Sequence, residues 1–214
     1  MVANMVEQTK QADHPRRVSS RPSSAAKKSM IVDSALALFA EHGFAGVSLR
    51  LIAAHAGVPL STLVHHFSDK KALYDLAVTR AFERTTFVFD SILDESADVA
   101  TQLRHLMHRL MSFQLVDSPE MRIIDQALLN PDIPAKISAT ALLEINHQKM
   151  KALFSRVAEK TGRYEWHELR EMFIGLSYGT VKFRRLQAQL MIGENSSSNA
   201  EFIRKTTDFF LASI

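Results

Sequence analysis

The stretch "GVPLSTLVHHFSDKKAL", residues 57–73, places a glycine, a proline, two histidines and an aromatic residue within the length of one turn and one short helix. Three interpretations are open for it: a plain helical hairpin, a histidine metal site, or a surface that contacts a partner. The steep crossing of two short helices requires a small residue at the contact, a turn residue that tolerates positive φ, and an apolar residue that packs back. Ala53, Gly57 and Leu63 meet these requirements in order. Residues 48–67 are therefore predicted to form a helix-turn-helix.

The rest of the chain is dominated by helical periodicity. From about residue 25 onward apolar residues recur at helical spacing, and strand-like alternation is almost absent. Ser48 and Asp69 are predicted to cap two helices, Gly43 to end the first, and Pro59 to begin the second helix of the motif. We predict an all-α protein of about nine helices, the later ones near residues 97–115, 119–129, 134–160, 165–191 and 199–213.

The composition excludes several classes of protein. The chain has no cysteine, which rules out disulfide frameworks, zinc–thiolate sites and thiol nucleophiles. Its N-terminus lacks the apolar core of a signal peptide, and no run of 18 apolar residues occurs. We therefore expect a cytoplasmic protein. The phosphate-binding glycine motifs and the G-x-S-x-G nucleophile motif are also absent, so we expect neither an enzyme nor a cofactor.

The basic character of the chain is confined to its first residues. The formal net charge is +3, yet residues 1–28 alone carry a net charge of +4. The segment at 1–24 is rich in serine, arginine and proline and has little apolar content, so we predict a disordered basic arm. Such an arm either adds phosphate or minor-groove contacts to a DNA-binding module or serves only as a solubilising tail.

The segment "IVDSALALFAEHGFAGVSLRLIAAHAGVPLSTLVHHFSDKKAL", residues 31–73, resembles the N-terminal DNA-binding domain of the TetR family of transcriptional regulators. The resemblance covers roughly a quarter of the chain. It implies a three-helix helix-turn-helix DNA-binding domain at residues 25–71. It also implies a larger helical domain for effector binding and dimerisation at residues 72–214.

The resemblance also implies which residues contact DNA. Ser48 is expected at a phosphate, and Arg50 at a guanine edge in the major groove, where an arginine can pair bidentately. The start of the second helix of the motif would face base edges, and Lys70 would contact the backbone. The residues implied in DNA binding are Ser48, Arg50, Pro59, Leu60, Ser61, Thr62, His65, His66 and Lys70.

Two positions depart from the family pattern. Val64 stands where members usually have a backbone-contacting tyrosine, and Leu51 where many carry an acid. Residues 29–71 contain three cations and three acids, so the domain is formally neutral. We therefore expect modest nonspecific DNA affinity unless the basic arm compensates.

Histidines give two further candidate sites. His65 and His66 are adjacent on a helix and point about 100° apart, which disfavours joint metal binding. His147 interrupts an apolar stripe together with Asn146, either as a buried histidine satisfied by a neighbour or as a polar anchor in a ligand cavity. The candidate effector pocket comprises Phe82, Met107, Met111, Asn146, His147, Met150, Phe154 and Phe173. We expect no metal.

The helix near 165–191 is apolar on two faces and so needs two partners. In the TetR family the last two long helices pair into a four-helix bundle, which the resemblance implies here. The candidate interface residues are Ile174, Tyr178, Val181, Phe202 and Phe209.

The combined interpretation is a ligand-responsive transcriptional regulator. It would act as a homodimeric repressor, released from a palindromic operator in double-stranded DNA by a small, largely apolar effector. One alternative is a constitutive DNA-binding regulator without an effector. Another is an interaction module whose helix-turn-helix no longer binds DNA.

Overall fold

The fold is built from helices. The computed structural model describes residues 23–88, 97–129, 140–190 and 197–214, with only the backbone described at residues 87 and 140–145. The predicted all-α class is confirmed. The described residues form nine α-helices: α1 Ser24–Gly46, α2 Leu49–His55, α3 Leu60–His66, α4 Lys70–Thr85, α5 Val99–Leu115, α6 Pro119–Leu129, α7 Thr140–Thr161, α8 Trp166–Leu190 and α9 Asn199–Ser213.

Helices α2 and α3 form the predicted helix-turn-helix. Gly57 has a φ of +66°, a left-handed conformation that suits glycine. Ala53 is buried at the crossing and Leu63 is fully buried behind it. The Val58 backbone N–H donates to the Ala53 carbonyl at 3.0 Å and closes the turn. Gly57 therefore forms the turn, and Ala53 and Leu63 are buried, as their spacing predicts.

The helix starts follow the predicted caps. Ser48 Oγ accepts from the Leu51 backbone N–H at 3.2 Å, and Asp69 Oδ1 accepts from the Ala72 N–H at 2.7 Å. Each side chain satisfies a donor that has no partner within its helix. Pro59 is the N-cap of α3, not its first helical residue.

One predicted helix end differs from the structure, and one predicted helix start is not tested by it. Gly43 has a φ of +70° and breaks the helical path, but helical geometry resumes beyond it and α1 is assigned to Gly46. The predicted start of the seventh helix at residue 134 lies outside the described residues, as does the basic arm at residues 1–22.

The buried apolar residues form two clusters. The first joins α1 to α4 and takes in Ile123 and Ile124 of α6. The second joins α5, α7, α8 and α9. Packing in the first cluster therefore continues past residue 71, where the sequence places a domain boundary, because α4 and α6 complete the core of the helix-turn-helix domain. Within the described residues, no helix has the length and apolarity that a membrane crossing requires.

Arg84 of α4 links three helices. Its Nη2 donates to Asp33 of α1 at 2.8 Å, and its Nη1 donates to Glu120 of α6 at 3.1 Å. Gln126 of α6 donates to the Ala40 carbonyl of α1 at 3.3 Å. Helix α6 is therefore attached to the helix-turn-helix domain by polar contacts as well as by its apolar face.

Candidate DNA-reading surface and effector cavity

The surface of the helix-turn-helix exposes most of the residues that the resemblance implies in DNA contact. On α2 Arg50 is exposed, and on α3 Leu60, Ser61 and His65 are exposed. These four side chains are accessible to a duplex without rearrangement. Pro59 is also exposed, while Thr62, His66 and Lys70 are half-buried.

The two capping residues at this surface have different consequences for phosphate binding. The Ser48 oxygen accepts from its own helix, which leaves the hydroxyl proton to donate to a phosphate. The Asp69 carboxylate occupies the N-terminus of α4, and the Ala72 backbone hydrogen bond is the main cause that lowers the pKa of Asp69. Lys70 Nζ lies 4.4 Å from the centroid of the Phe44 ring. Lys70, rather than the helix terminus, is therefore the phosphate donor available at α4.

A groove runs between the start of α1 and α3, the second helix of the motif, which is called the recognition helix below. It encloses about 480 Å³ and is lined by Ser24, Lys27, Ser61, Thr62, His65 and His66. The described chain therefore begins beside the helix that would read the bases. The rings of His65 and His66 lie 5.4 Å apart at 64°. The described residues contain no group of three or more histidine, aspartate or glutamate side chains arranged to hold a metal ion.

A cavity of about 780 Å³ lies between α4, α5, α6, α7 and α8. Four of the predicted pocket residues line it: Phe82, Asn146, His147 and Met150. The remaining walls are mainly apolar, with Leu110 and Phe113 from α5 and Met121 and Ile124 from α6. A mostly apolar cavity with a few polar groups is typical of a small-molecule site.

Four other predicted pocket residues lie elsewhere. Met107, Met111, Phe154 and Phe173 are each fully buried in the second core cluster. Phe173 packs edge-on against Phe154 and Phe210, with ring centroids 5.4 and 5.1 Å away. These side chains pack at the contacts between helices. Helical periodicity is the same for a core residue and for a residue of a cavity wall, so the sequence could not separate the two.

One end of the cavity carries a polar cluster around Trp166. Arg170 Nη1 lies 3.0 Å from His147 Nδ1, so the histidine has a specific partner. The Trp166 ring is edge-on to the His147 ring at 5.5 Å, and the Arg170 guanidinium lies 5.4 Å from the Trp166 centroid. His147 therefore has a hydrogen-bonding partner, as the first interpretation requires, and it also lines the cavity, as the second interpretation requires.

The other end of the cavity is defined by Tyr178. Its hydroxyl donates to Asp125 Oδ1 of α6 at 2.7 Å, and Lys182 binds the second oxygen of the same carboxylate. Burial, followed by the hydrogen bond to Asp125, raises the pKa of Tyr178, so the hydroxyl remains a donor at neutral pH. Gln114 also lines this cavity, and its Oε1 is buried without a hydrogen-bond partner among the described residues.

Gln114, Arg170 and Tyr178 are among the polar cavity residues that sequence reasoning did not assign to the pocket. Arg170, Ile174 and Tyr178 follow one another at intervals of four on α8, which places them on one helix face. In the sequence, the signal for this site is an arginine at the end of a partly apolar helix face. Arg170 could not be assigned to the cavity from the sequence, because the sequence does not show which face of α8 meets the cavity.

The structure also redistributes the candidate interface residues. Ile174 and Tyr178 line the cavity, and Val181 is fully buried in the second core cluster. Phe202 is half-buried beneath the Arg184 guanidinium, and Phe209 is 66% exposed. The exposed apolar face of α8 is instead formed by Met172, Phe183, Leu186 and Leu190.

Comparison with known proteins agrees with this arrangement. Residues 31–77 match the family described as bacterial regulatory proteins, tetR family. The negative transcriptional regulator IcaR of the biofilm operon icaADBC, from Staphylococcus aureus, is 36% identical over 56 residues. That match covers 26% of this chain, and the chain spans about 30% of the length of the curated relatives it matches.

Solved structures resemble the whole fold. A putative TetR-family regulator from Mesorhizobium loti has a TM-score of 0.67 at 23% identity, over 90% of this chain and 98% of its own. FadR from Bacillus subtilis in complex with stearoyl-CoA has a TM-score of 0.67 at 17% identity, over 87% of this chain and 98% of its own. At these identities the likeness establishes the fold.

The family match confirms the expectation that the chain is not an enzyme, since this family consists of DNA-binding regulators. It also confirms the resemblance on which the residue assignments depend. Residues 31–77 therefore carry the DNA-binding segment of the TetR family of bacterial regulatory proteins, and the described residues have a helical fold like that of solved structures described as regulators of this family.

Proposed function

We propose that the protein is a ligand-responsive transcriptional repressor that binds a palindromic operator as a homodimer and leaves it when a small, largely apolar effector binds. The observation that carries this proposal is that α6 contributes to two sites at once. Met121, Ile124 and Leu128 of α6 line the cavity, while Ile123 packs in the core of the helix-turn-helix domain. A change of cavity contents therefore acts on an element that supports the DNA-reading surface.

The domains that this function requires are proposed as residues 25–71 for DNA binding and 72–214 for effector binding and dimerisation, with the basic segment at 1–24 as an additional DNA contact. The DNA contacts are proposed for the residues implied by the family, with Arg50 as the principal base reader. Two copies would place their recognition helices in successive major grooves, about 34–36 Å apart.

The dimer interface is proposed on the exposed apolar stripe of α8, together with Phe209 of α9. Phe183 and Phe209 are 61% and 66% exposed, an unusual state for phenylalanine in a protomer that stays alone. Gly179 lies on the same face, and a Cβ added there would meet nothing within 4 Å. The small residue therefore leaves room for a partner helix.

The proposed release mechanism runs from the cavity through α6 to α1 and α4. Arg84 of α4 forms ion pairs with both Asp33 of α1 and Glu120 of α6. A displacement of α6 therefore changes the contacts of both α1 and α4. Effector binding would favour an arrangement in which the two recognition helices are wrongly spaced. Couplings of this kind are worth about 1–3 kcal/mol.

Two comparisons support the proposal. IcaR is described as a negative regulator, which agrees with a repressor, and its likeness falls in the DNA-binding segment. The FadR structure contains stearoyl-CoA within a fold like this one, which agrees with effector binding.

The test is fluorescence anisotropy on a labelled fragment from upstream of the protein's own gene, with excess nonspecific duplex and over a salt series. We expect wild-type protein to bind in the presence of competitor. Arg50→Ala should lose about 1–3 kcal/mol of binding free energy and its preference for that fragment, because it removes a bidentate base contact. Arg163→Ala, an exposed arginine far along the chain between α7 and α8, is the matched control.

Equal binding to all duplexes, or an Arg50→Ala variant indistinguishable from wild type, would contradict the DNA-reading role and favour the interaction module. The constitutive alternative is tested with the same complex and a library of small molecules monitored by thermal shift. If ligands bind the protein but none changes operator affinity, the regulator is constitutive.

A further inference from the structure

Arg170 is a cation at the wall of an apolar cavity, and its present partners neutralise it only partly. Its side chain is 23% exposed, and its Nη1 points to His147 Nδ1 at 3.0 Å. Since an arginine N–H only donates, the histidine nitrogen accepts and the ring proton lies on Nε2. The carboxylate near Arg170 is that of Glu171, which also lines the cavity; its side chain is 68% exposed, and its Oε1 lies 3.4 Å from Nη2.

An exposed glutamate compensates weakly for a charge that faces apolar walls. Ion pairs with a solvated partner are worth little, whereas a cation withdrawn from water needs a close anion or strong acceptors. Lys151 Nζ lies 5.5 Å from the Trp166 ring centroid, but Lys151 is exposed and does not line the cavity, so Arg170 is the cation that sets the charge of this end. The end of the cavity at Trp166 therefore favours a negatively charged group.

The remainder of the cavity favours an apolar body. Phe82, Leu110, Phe113 and Met150 are among its apolar lining residues, and Tyr178 and the buried Gln114 Oε1 are further polar groups in its wall. Tyr178 is eight residues beyond Arg170 on α8, which corresponds to about 12 Å along the helix axis. That length accommodates an extended chain of roughly ten carbons, at C–C bonds near 1.5 Å.

We propose that the effector is an apolar molecule with one anionic headgroup, held by Arg170 and His147 at the Trp166 end of the cavity. This inference rests on the proposed function and adds the chemical class of the ligand. The guanidinium fork matches a carboxylate with two parallel hydrogen bonds, which a neutral hydroxyl cannot reproduce. A cationic headgroup at this end would be repelled by Arg170.

The single tryptophan of the chain provides the readout. Trp166 lies against both His147 and Arg170, so its fluorescence reports on this end of the cavity. The probes are decanoate, decanol and decyltrimethylammonium, each titrated below its critical micelle concentration into the full chain. We expect saturable fluorescence changes with decanoate, and a Kd for decanoate at least about tenfold below those of the other two, since a hydrogen bond to a charged group contributes ~1.5–3 kcal/mol.

Variants then assign the preference to Arg170. Arg170→Gln should raise the decanoate Kd roughly ten- to hundredfold and leave the decanol Kd within about twofold. Arg170→Lys keeps the charge without the fork and should retain part of the preference. Arg163→Gln makes the same change at an arginine that does not line the cavity, and should bind all three probes like wild type. Circular dichroism of each variant verifies that it is folded.

The inference is overturned if decanol or decyltrimethylammonium binds as tightly as decanoate, if none of the three binds, or if folded Arg170→Gln keeps the preference. The operator assay separates this failure from failure of the proposed function. Release of the operator by decanol as readily as by decanoate would leave the repressor intact and reject the anionic headgroup. Selective decanoate binding without any effect on the operator would support the site and reject its role in release.

Discussion

At the scale of single residues, the candidate DNA-reading surface is unusual because α3 lacks lysine, arginine and acidic residues. Val64 is 49% exposed, Leu60 is 36% exposed, and Leu51 of α2 is 41% exposed. The sequence of α3 contains no lysine, arginine or acid. Apolar side chains in the major groove contact the methyl group of thymine, a feature that distinguishes thymine from the other bases. The departures at Val64 and Leu51 are thus compatible with a reader of thymine-containing sites.

This reading predicts that operator affinity depends on thymine methyl groups. Replacement of the operator thymines by uracil removes those methyl groups and should weaken binding, by about 0.8 kcal/mol for each buried methyl. Val64→Ala should make the protein insensitive to the replacement at the thymine that Val64 contacts. Anisotropy titrations on matched thymine and uracil duplexes measure both effects.

Val116→Ala is the control, since Val116 is an exposed valine outside the helix-turn-helix. Equal affinity of wild-type protein for the two duplexes would show that the exposed apolar side chains do not read thymine.

At the scale of elements, the turn between α2 and α3 depends on the conformation of one residue. Gly57 adopts a left-handed conformation, and a Cβ added there would meet nothing within 4 Å. Gly57→Ala should therefore lower the free energy of unfolding by about 1–2 kcal/mol through backbone strain alone. Urea denaturation measures the change.

Gly46→Ala is the matched control, because Gly46 has no left-handed φ and its added Cβ would lie 3.4 Å from His42 Cβ, an ordinary contact. We expect a change within about 0.5 kcal/mol there. Equal losses at the two glycines would refute an explanation based on φ.

The contact between α6 and α8 at the cavity is a second element-scale feature. Tyr178 and Lys182 of α8 share the carboxylate of Asp125 on α6. Tyr178→Phe removes one hydrogen bond to a charged group, so the free energy of unfolding should fall by about 1.5–3 kcal/mol. In the effector assay, the same variant should change the coupling between ligand and operator, because α6 loses a contact to α8.

Tyr164→Phe is the control at a tyrosine outside the cavity. Unchanged stability of Tyr178→Phe in urea would mean that Lys182 alone maintains the contact of α6 with α8.

At the scale of the whole molecule, the described protomer has an apolar surface without a partner. Met172, Phe183, Leu186 and Leu190 lie on one face of α8, and Phe209 of α9 is exposed as well. Burial of such a stripe in a homodimer removes apolar area from water and orients two recognition helices on one duplex.

Phe183→Asp should produce a monomer, because a dimer would have to bury the new charge against apolar side chains. Multi-angle light scattering at micromolar concentration measures the mass, and operator affinity should fall together with dimerisation. Ala188→Asp introduces the same charge on an exposed position of α8 that faces away from the stripe, and should remain dimeric. A dimeric Phe183→Asp protein, or a monomeric wild type, would contradict the proposed interface.

The sequence by itself determined the local structure of this protein. The caps at Ser48 and Asp69, the positive φ at Gly57 and the burial of Ala53 and Leu63 in one core cluster all depend on residues within about ten positions of one another. Local hydrogen bonds and backbone sterics decide such features, so their spacing in the sequence is sufficient. Helical periodicity likewise predicted an all-α fold.

Only the tertiary structure decided which apolar face meets which neighbour. Helix α8 has apolar residues on most sides, and periodicity cannot tell whether Val181, Ile174 or Phe183 faces the core, the cavity or solvent. The sequence therefore placed Val181 at an interface and Phe154 in a pocket, while both lie in the core. Burial depends on contacts between residues far apart in the chain, as in the pair of Asp125 and Tyr178, and the choice among equally apolar faces is made when the helices pack.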